Sequence, residues 1–304
     1  MREIRIPAFA KVNLRLDILG KRPDGYHELR TIFQTVSLQD ELRLRASKTS
    51  EIRLTIQGNE PLSLEPVRKN LVYAAVDALR RELHIRSGVE IDLRKKIPAG
   101  RGLGGGSSDA AAALRGYLRL TRRAIPAPRL IEIAASLGAD VPFFLFGGRA
   151  LGIGRGDEIY PLPDIPKLTL LVVSPKNIHV PTPDAYRWLK APALTKARAT
   201  PKLWKFCALC WSLPAAAGAS ESGLSNDFER PVFQRHPRLA QIKRALLQRG
   251  AAEASLAGSG SAVFGVFPSP AMARRAAVGF QDEQTFVCES ISRDRYLRKV
   301  QSVP

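Results

Sequence analysis

Apolar and polar residues alternate from Ile4 to Leu19 and again from Asp40 to Gln57, as in ELRLRA and EIRLTI. A two-residue period predicts β-strands whose successive side chains point to opposite faces. Arg22-Pro-Asp-Gly25 supplies turn chemistry between strand candidates. The period then lengthens. Asn70 to Leu83 has helical spacing, Val89 to Leu93 reads as a short strand, and an alanine-rich run predicts a helix from about Ser107 to Leu120. Pro126 and Pro128 break that run, and Leu130 to Leu137 gives another short helix stopped by Gly138. A proline-studded connector, Pro161 to Pro166, separates these elements from a second set. That set holds the strand LTLLVV (Leu168 to Val173), a helix opening at Thr182 or Pro183, and the amphipathic helix LAQIKRALLQRG ending at Gly250. Two apolar strands then flank a loop of Gly258, Ser259, Gly260 and Ser261. Lys190 to Gly223, rich in Ala, Lys, Pro and Ser, reads as a tolerant surface insertion. The pattern predicts an α+β chain of two domains, residues 1–163 and 164–304.

Composition narrows the classes. At 304 residues and 45% hydrophobic, the chain can bury a sizeable core. No apolar run reaches transmembrane length, and the first twenty residues alternate rather than form a signal peptide's apolar block, so a cytoplasmic location is expected. Cys207 and Cys210 form a C-x-x-C, but LWKFCALCWSL looks like one apolar helical surface and favours buried thiols over metal or redox chemistry. The histidines at 27, 84, 179 and 236 are too scattered for a metal site. A formal charge of +19, from 47 basic and 28 acidic residues, is spread along the chain without an RNA-binding signature. It favours a polyanionic small substrate over nucleic acid or a membrane surface.

The strongest chemical signal is PAGRGLGGGSSDAAAAL, Pro98 to Leu114. Glycines allow positive φ and close approach to a ligand, Ser107 and Ser108 add hydroxyls, and the following helix offers unpaired N–H groups and a partial positive charge. This is a phosphate cradle. Gly100, Gly102 and Gly105 also satisfy the dinucleotide pattern G-x-G-x-x-G, but LTRRAIPAP stands where that pattern needs an acidic residue. No Walker sequence and no protein-kinase H-R-D or D-F-G occurs. Three weaker signals accompany the loop. Lys11 and Asn13 fall on one face of a strand, where a lysine is as often a solvated edge residue. Asp140 stands between a helix end and the apolar run VPFFLF, either desolvated and more basic or simply a turn residue. Tyr26 and His27 sit beside a turn, where an aromatic ring can stack on a base or merely face solvent.

Taken together, AFAKVNLRLDILGKRPDGYHELRTIFQTVSLQD, PAGRGLGGGSSDAAAAL, LGADVPFFLFG, VPTPDAY, LSNDFE and LAGSGSAVFGVF occur in the order found in the GHMP kinases. The chain resembles that family from about Ile6 to Phe267, poorly between Leu189 and Gly223. DGYHEL, GADVPFF and SNDFE narrow the resemblance to the branch that phosphorylates a cytidine diphosphate-linked methylerythritol in non-mevalonate isoprenoid synthesis. It implies a ribosomal protein S5 domain 2-like N-terminal half and a ferredoxin-like C-terminal half, with the active site in the cleft between them. It also implies ATP and Mg²⁺. Pro98, Gly100, Gly102, Leu103, Gly104, Gly105, Gly106, Ser107 and Ser108 match the ATP-phosphate loop, Ser108 the metal ligand, and Asn70 a position near adenine. Asp140 matches the catalytic aspartate and Lys11 its partner, with Asn13 placing the acceptor hydroxyl. Tyr26 and Tyr186 match the aromatics that sandwich cytosine, His27 the reader of its edge, and Thr182, Gly258, Ser259 and Gly260 further substrate contacts. Phe9 stands where relatives carry proline, a departure that bears on strand entry. Another small alcohol, such as homoserine or mevalonate, and a basic nucleic-acid-binding protein on the same fold are the alternatives.

Overall fold

The N-terminal alternation builds a long antiparallel hairpin, β1 (Glu3–Lys21) and β2 (His27–Ala46), closed by the turn at Arg22 to Gly25. The computed structural model describes residues 2–58, 67–196 and 223–301; Cys207, Cys210 and most of the Lys190 to Gly223 stretch lie outside them. One edge of β2 is shared by two strands placed end to end. β4 (Val89–Lys95) pairs with its later half and β5 (Arg149–Gly154) with its earlier half. β3 (Ile52–Gly58) adds parallel to β4, β6 (Glu158–Pro161) antiparallel to β5, and the two-residue β8 (Ser225–Asn226) parallel to β1. A second, antiparallel sheet runs β11-β7-β10-β9, from β7 (Thr169–Ser174), β9 (Glu253–Leu256), β10 (Val263–Phe267) and β11 (Gln284–Glu289).

Helices cover each sheet. α1 (Leu71–Glu82), α2 (Gly105–Thr121) and α3 (Ala127–Leu137) build one core on the first sheet around Leu42, Leu44, Val76 and Leu114. α5 (Thr182–Leu189), α6 (Glu229–Arg235), α7 (Pro237–Gln248) and α8 (Pro270–Ala277) belong to the second half, whose core includes Leu171, Val173, Ile242 and Leu246. A third cluster joins the two: Ala10, Val12 and Ile32 meet Leu170, Val172 and Phe264. β7 therefore has apolar neighbours on both faces, which is why LTLLVV reads as a continuous apolar run rather than an alternation.

The sheets divide between Pro161 and Thr169, at the proline-studded connector, yet two later elements return to the first sheet. β8 is one. The other is α9 (Arg293–Gln301), whose Tyr296 and Val300 enter the first core; the Tyr296 hydroxyl donates to the Phe144 carbonyl at 2.5 Å. The start of the stretch read as a surface insertion is also fastened down. Lys21 N donates to Pro192 O and Leu194 N to Lys21 O, both at 2.8 Å. Its polar, pattern-poor composition concealed a backbone pairing, which makes no demand on side chains.

Candidate active site

Lys11 lies between two bulges of the β1–β2 ladder, after Phe9 and after Asn13. Bulges re-aim side chains, and here Lys11 Nζ donates to Asn13 Oδ1 at 2.9 Å and stands 3.3 Å from Asp140 Oδ2. Asn13 Nδ2 in turn donates to Thr31 Oγ1 at 2.7 Å, and the Phe33 ring lies 5.3 Å from the ammonium. Lys11 is 4% exposed, so this is a built arrangement rather than a solvated edge lysine. Asp140 sits in the turn between α3 and the four-residue α4 (Phe143–Phe146). Burial of a phenylalanine side chain contributes ~2–3 kcal/mol, and Phe143 and Phe144, both fully buried, pin the turn from behind. Both readings of Asp140 hold in part, since it is a turn residue whose carboxylate is partly buried. Its side chain is 33% exposed and faces Lys11, because the apolar run that follows turns away into the core as α4.

The glycine loop enters α2 through Gly104 in the left-handed region, with no side chain capping the helix. The first amides of a 17-residue helix are thus left facing a cleft of about 2070 Å³ lined by Gly100 to Ser107 and Asn70. Backbone approach dictates the glycines. A Cβ on Gly102, at φ +78°, would lie 2.7 Å from the Ala257 carbonyl carbon; one on Gly104 would lie 2.9 Å from Phe144 and 3.0 Å from the Lys11 stem. Gly102 backs onto the loop after β9, where Gly258 is equally confined: a Cβ added there would lie 3.0 Å from Gly102 O. Asn226 braces that loop by donating to the carbonyls of Leu256 and Gly258 at 2.9 and 2.7 Å, and Thr182 Oγ1 meets Ser259 Oγ at 3.0 Å. Asn70 accepts from Val72 N at 2.8 Å as the N-cap of α1 while also lining the cleft.

Two expected contacts lie off the cleft, Gly260 and Ser108. Ser108 is 2% exposed; its hydroxyl points into the core and has no partner among the described residues. The reason is helical phase: Ser107 faces the cleft, and the next residue is rotated behind the helix. The cradle fits a polyphosphate, but Ser108 does not fit as a metal ligand. Among the described residues no three His, Cys, Asp or Glu side chains gather around a metal position.

At the far end of the same cleft, the ring facing Tyr186 is His27, stacked at 4.6 Å, rather than Tyr26. Tyr186 also abuts Phe228 edge-on at 4.8 Å. Burial, then the charge of Lys21, holds the His27 imidazole below its usual pKa, so the neutral ring that can both donate and accept is favoured. Burial raises the Tyr186 phenol and keeps it protonated. Tyr26 is 56% exposed, with Arg155 over its face at 4.9 Å.

Known proteins share the sequence and the fold of this chain. The model of the GHMP kinases N terminal domain matches residues 70–148, and that of the GHMP kinases C terminal domain residues 212–283. A 4-diphosphocytidyl-2-C-methyl-D-erythritol kinase of Solibacter usitatus is 44% identical over 97% of this chain and 91% of its own length. The chain belongs to the GHMP kinases. An enzyme of the same name from Citrifermentans bemidjiense is 42% identical over 91% of this chain and 94% of its own. Among solved structures, a 4-(cytidine 5'-diphospho)-2C-methyl-D-erythritol kinase superposes with a TM-score of 0.75 at 34% identity, covering 94% of this chain and 99% of that one. A homoserine kinase from Cytophaga hutchinsonii has a TM-score of 0.76 at 22% identity, over 96% and 95%, which establishes shared fold alone. GHMP kinases use ATP as phosphate donor. No described helix is long and apolar enough to cross a membrane.

Sequence reasoning missed the floor of the cradle in this GHMP kinase. Lys95 Nζ lies 2.5 Å from Asp40 Oδ2 and 2.7 Å from Asp109 Oδ2, while Asp40 Oδ1 accepts the amides of Lys96 and Ile97 at 2.5 and 2.8 Å. The signal was available as charged residues inside strand and helix patterns that should be apolar. Burial, with Asp40 nearby and only partly offset by Lys95, pushes the Asp109 carboxyl up to about 8. Folded protein therefore holds a proton that the unfolded chain has released above about pH 4, and stability falls as pH rises from there to about 8. Asp109→Asn, which mimics the protonated group, is expected to flatten that fall. Denaturant midpoints at pH 5, 6.5 and 8 check it; parallel slopes in variant and parent would refute it.

Proposed function

We propose that this chain transfers the γ-phosphoryl group of ATP to the 2-hydroxyl of 4-diphosphocytidyl-2-C-methyl-D-erythritol, with residues 1–163 and 164–304 as its two domains. One observation carries the reading: Lys11, Asn13 and Asp140 converge within hydrogen-bond reach midway along a cleft that has a phosphate cradle nearby and three aromatic rings at its other end. In this mechanism the acceptor hydroxyl lies against Asn13 and Asp140. Asp140 takes its proton as the oxygen bonds to the γ-phosphorus and the bond to the β-phosphate oxygen breaks, releasing ADP. Lys11 orients Asp140 and offsets charge gathering on the transferred group. The amides at the start of α2 hold the β- and γ-phosphates without any side-chain movement. Mg²⁺ would be held by the nucleotide's phosphates and water rather than by Ser108. Tyr26, His27 and Tyr186 supply the stacking faces and the neutral imidazole that a cytosine needs.

A coupled ADP-release assay tests the substrate. Turnover is expected with the cytidylyl alcohol and not with homoserine or mevalonate; the reverse preference refutes the proposal. Salt-sensitive RNA binding without ATP turnover would instead favour the nucleic-acid reading.

A further inference from the structure

Tyr26 presents an aromatic ring to the cleft at 56% exposure, which needs a structural support if it is to act as a wall. Its own turn is stapled: Tyr26 N donates to Asp24 Oδ1 at 3.1 Å, and Arg22 N to Tyr26 O at 2.7 Å. The ring is held from another element. Arg155 occupies the tight β5–β6 turn between Gly154 and Gly156, whose φ values of +68° and +95° suit glycine. Its Nε and Nη2 donate to Asp157 Oδ2 at 2.9 and 2.5 Å, which locks the guanidinium plane 4.9 Å from the Tyr26 centroid. Asp157 is 14% exposed at its side chain, so the clamp is sheltered while the guanidinium still lines the cleft.

We infer that Arg155 is a specificity-determining positioning residue: by covering one face of Tyr26 it fixes the ring with its other face toward a pyrimidine base. This rests on the proposed cytidylyl substrate. Guanidinium fits the task because it is planar, always charged and can be gripped by one carboxylate while stacking on an aromatic face, whereas an ammonium cannot be held in a plane. Arg155 comes from the β5–β6 turn, whereas Tyr26, His27 and Tyr186 come from the β1–β2 turn, the start of β2 and α5.

Calorimetric titration of the full chain with cytidine 5'-diphosphate and, separately, ADP tests it. Arg155→Ala is expected to weaken cytidine 5'-diphosphate about five- to thirtyfold while ADP, bound at the cradle, stays within about twofold. Arg155→Lys, which keeps charge but loses the fork held by Asp157, is expected between parent and alanine variant. Unchanged affinity for cytidine 5'-diphosphate in Arg155→Ala, an equal loss for ADP, or no binding of cytidine 5'-diphosphate by the parent would overturn the inference. A parent that binds cytidine 5'-diphosphate, loses it on Arg155→Ala, and yet fails to turn over the cytidylyl alcohol would instead overturn the proposed reaction and leave Arg155 its role.

Discussion

Asp140→Asn is expected to lower kcat about a thousandfold while leaving the KM for ATP within about threefold, the loss typical of removing a positioned general base. Asparagine keeps the shape and one oxygen toward Lys11 but cannot take the acceptor's proton. The lysine is not stranded by the change, because Asn13 Oδ1 still accepts from it at 2.9 Å and the Phe33 ring still lies under it. With Asp140 one-third exposed, the stability cost of losing the ion pair stays near 1 kcal/mol rather than the several kcal/mol of a fully buried pair. Single-turnover rates at saturating ATP, read beside the melting temperature, separate chemistry from folding. A variant with near-parental kcat would remove Asp140 from the base role.

Gly102→Ala is expected to cost about 3 kcal/mol or more and to abolish nucleotide binding. Two effects add. At φ +78° an L side chain costs ~1 kcal/mol on its own. The added Cβ would also overlap the Ala257 carbonyl, with Gly260 N only 3.1 Å away, so it is backbone on the opposite loop that must retreat. That retreat breaks the hydrogen bonds tying the loops together, Ala262 N to Arg101 O at 3.1 Å and Arg101 Nη1 to Ser261 Oγ at 2.9 Å. Gly25→Ala isolates the first effect: φ is +87° there and nothing lies within 4 Å of the new atom. Its expected cost is ~1 kcal/mol. Equal midpoints for the two variants in denaturant would show that the loop contact carries no weight.

How much of this was legible depended on whether a segment's neighbours were local. The β1 alternation, the spacing of α1 and α7 and the glycines before α2 report on faces fixed within a few residues, and those elements were visible. The later half of β2 alternates and was read as strand, while ELRTIFQTVSLQ carries no clean period because Thr31, Gln34 and Thr35 are buried beside Ile32 and Phe33. α9 reads as a charged tail, RDRYLRKVQ, and only Tyr296 and Val300 give it a buried face. β8 is two residues long and has no pattern to show. Lys11, Asn13 and Asp140 are each legible as candidates, and the structure brings them together, but the face that Asp140 presents depends on which way α4 turns. Nothing in VPFFLF states that direction. The Asp40–Lys95–Asp109 cluster and the packing of Arg155 on Tyr26 unite residues from separate elements, and the sequence of one chain does not record such pairings.

The return of α9 to the first sheet also orders events during synthesis. Phe144 and the tyrosine that anchors its carbonyl are 152 residues apart. At ribosomal speeds of about 5–20 residues per second, Phe144 leaves the ribosome roughly 8–30 seconds before Tyr296. Throughout that interval the turn bearing Asp140 has its phenylalanines but not their final cover. The nascent N-terminal half therefore carries apolar surface awaiting a segment not yet made.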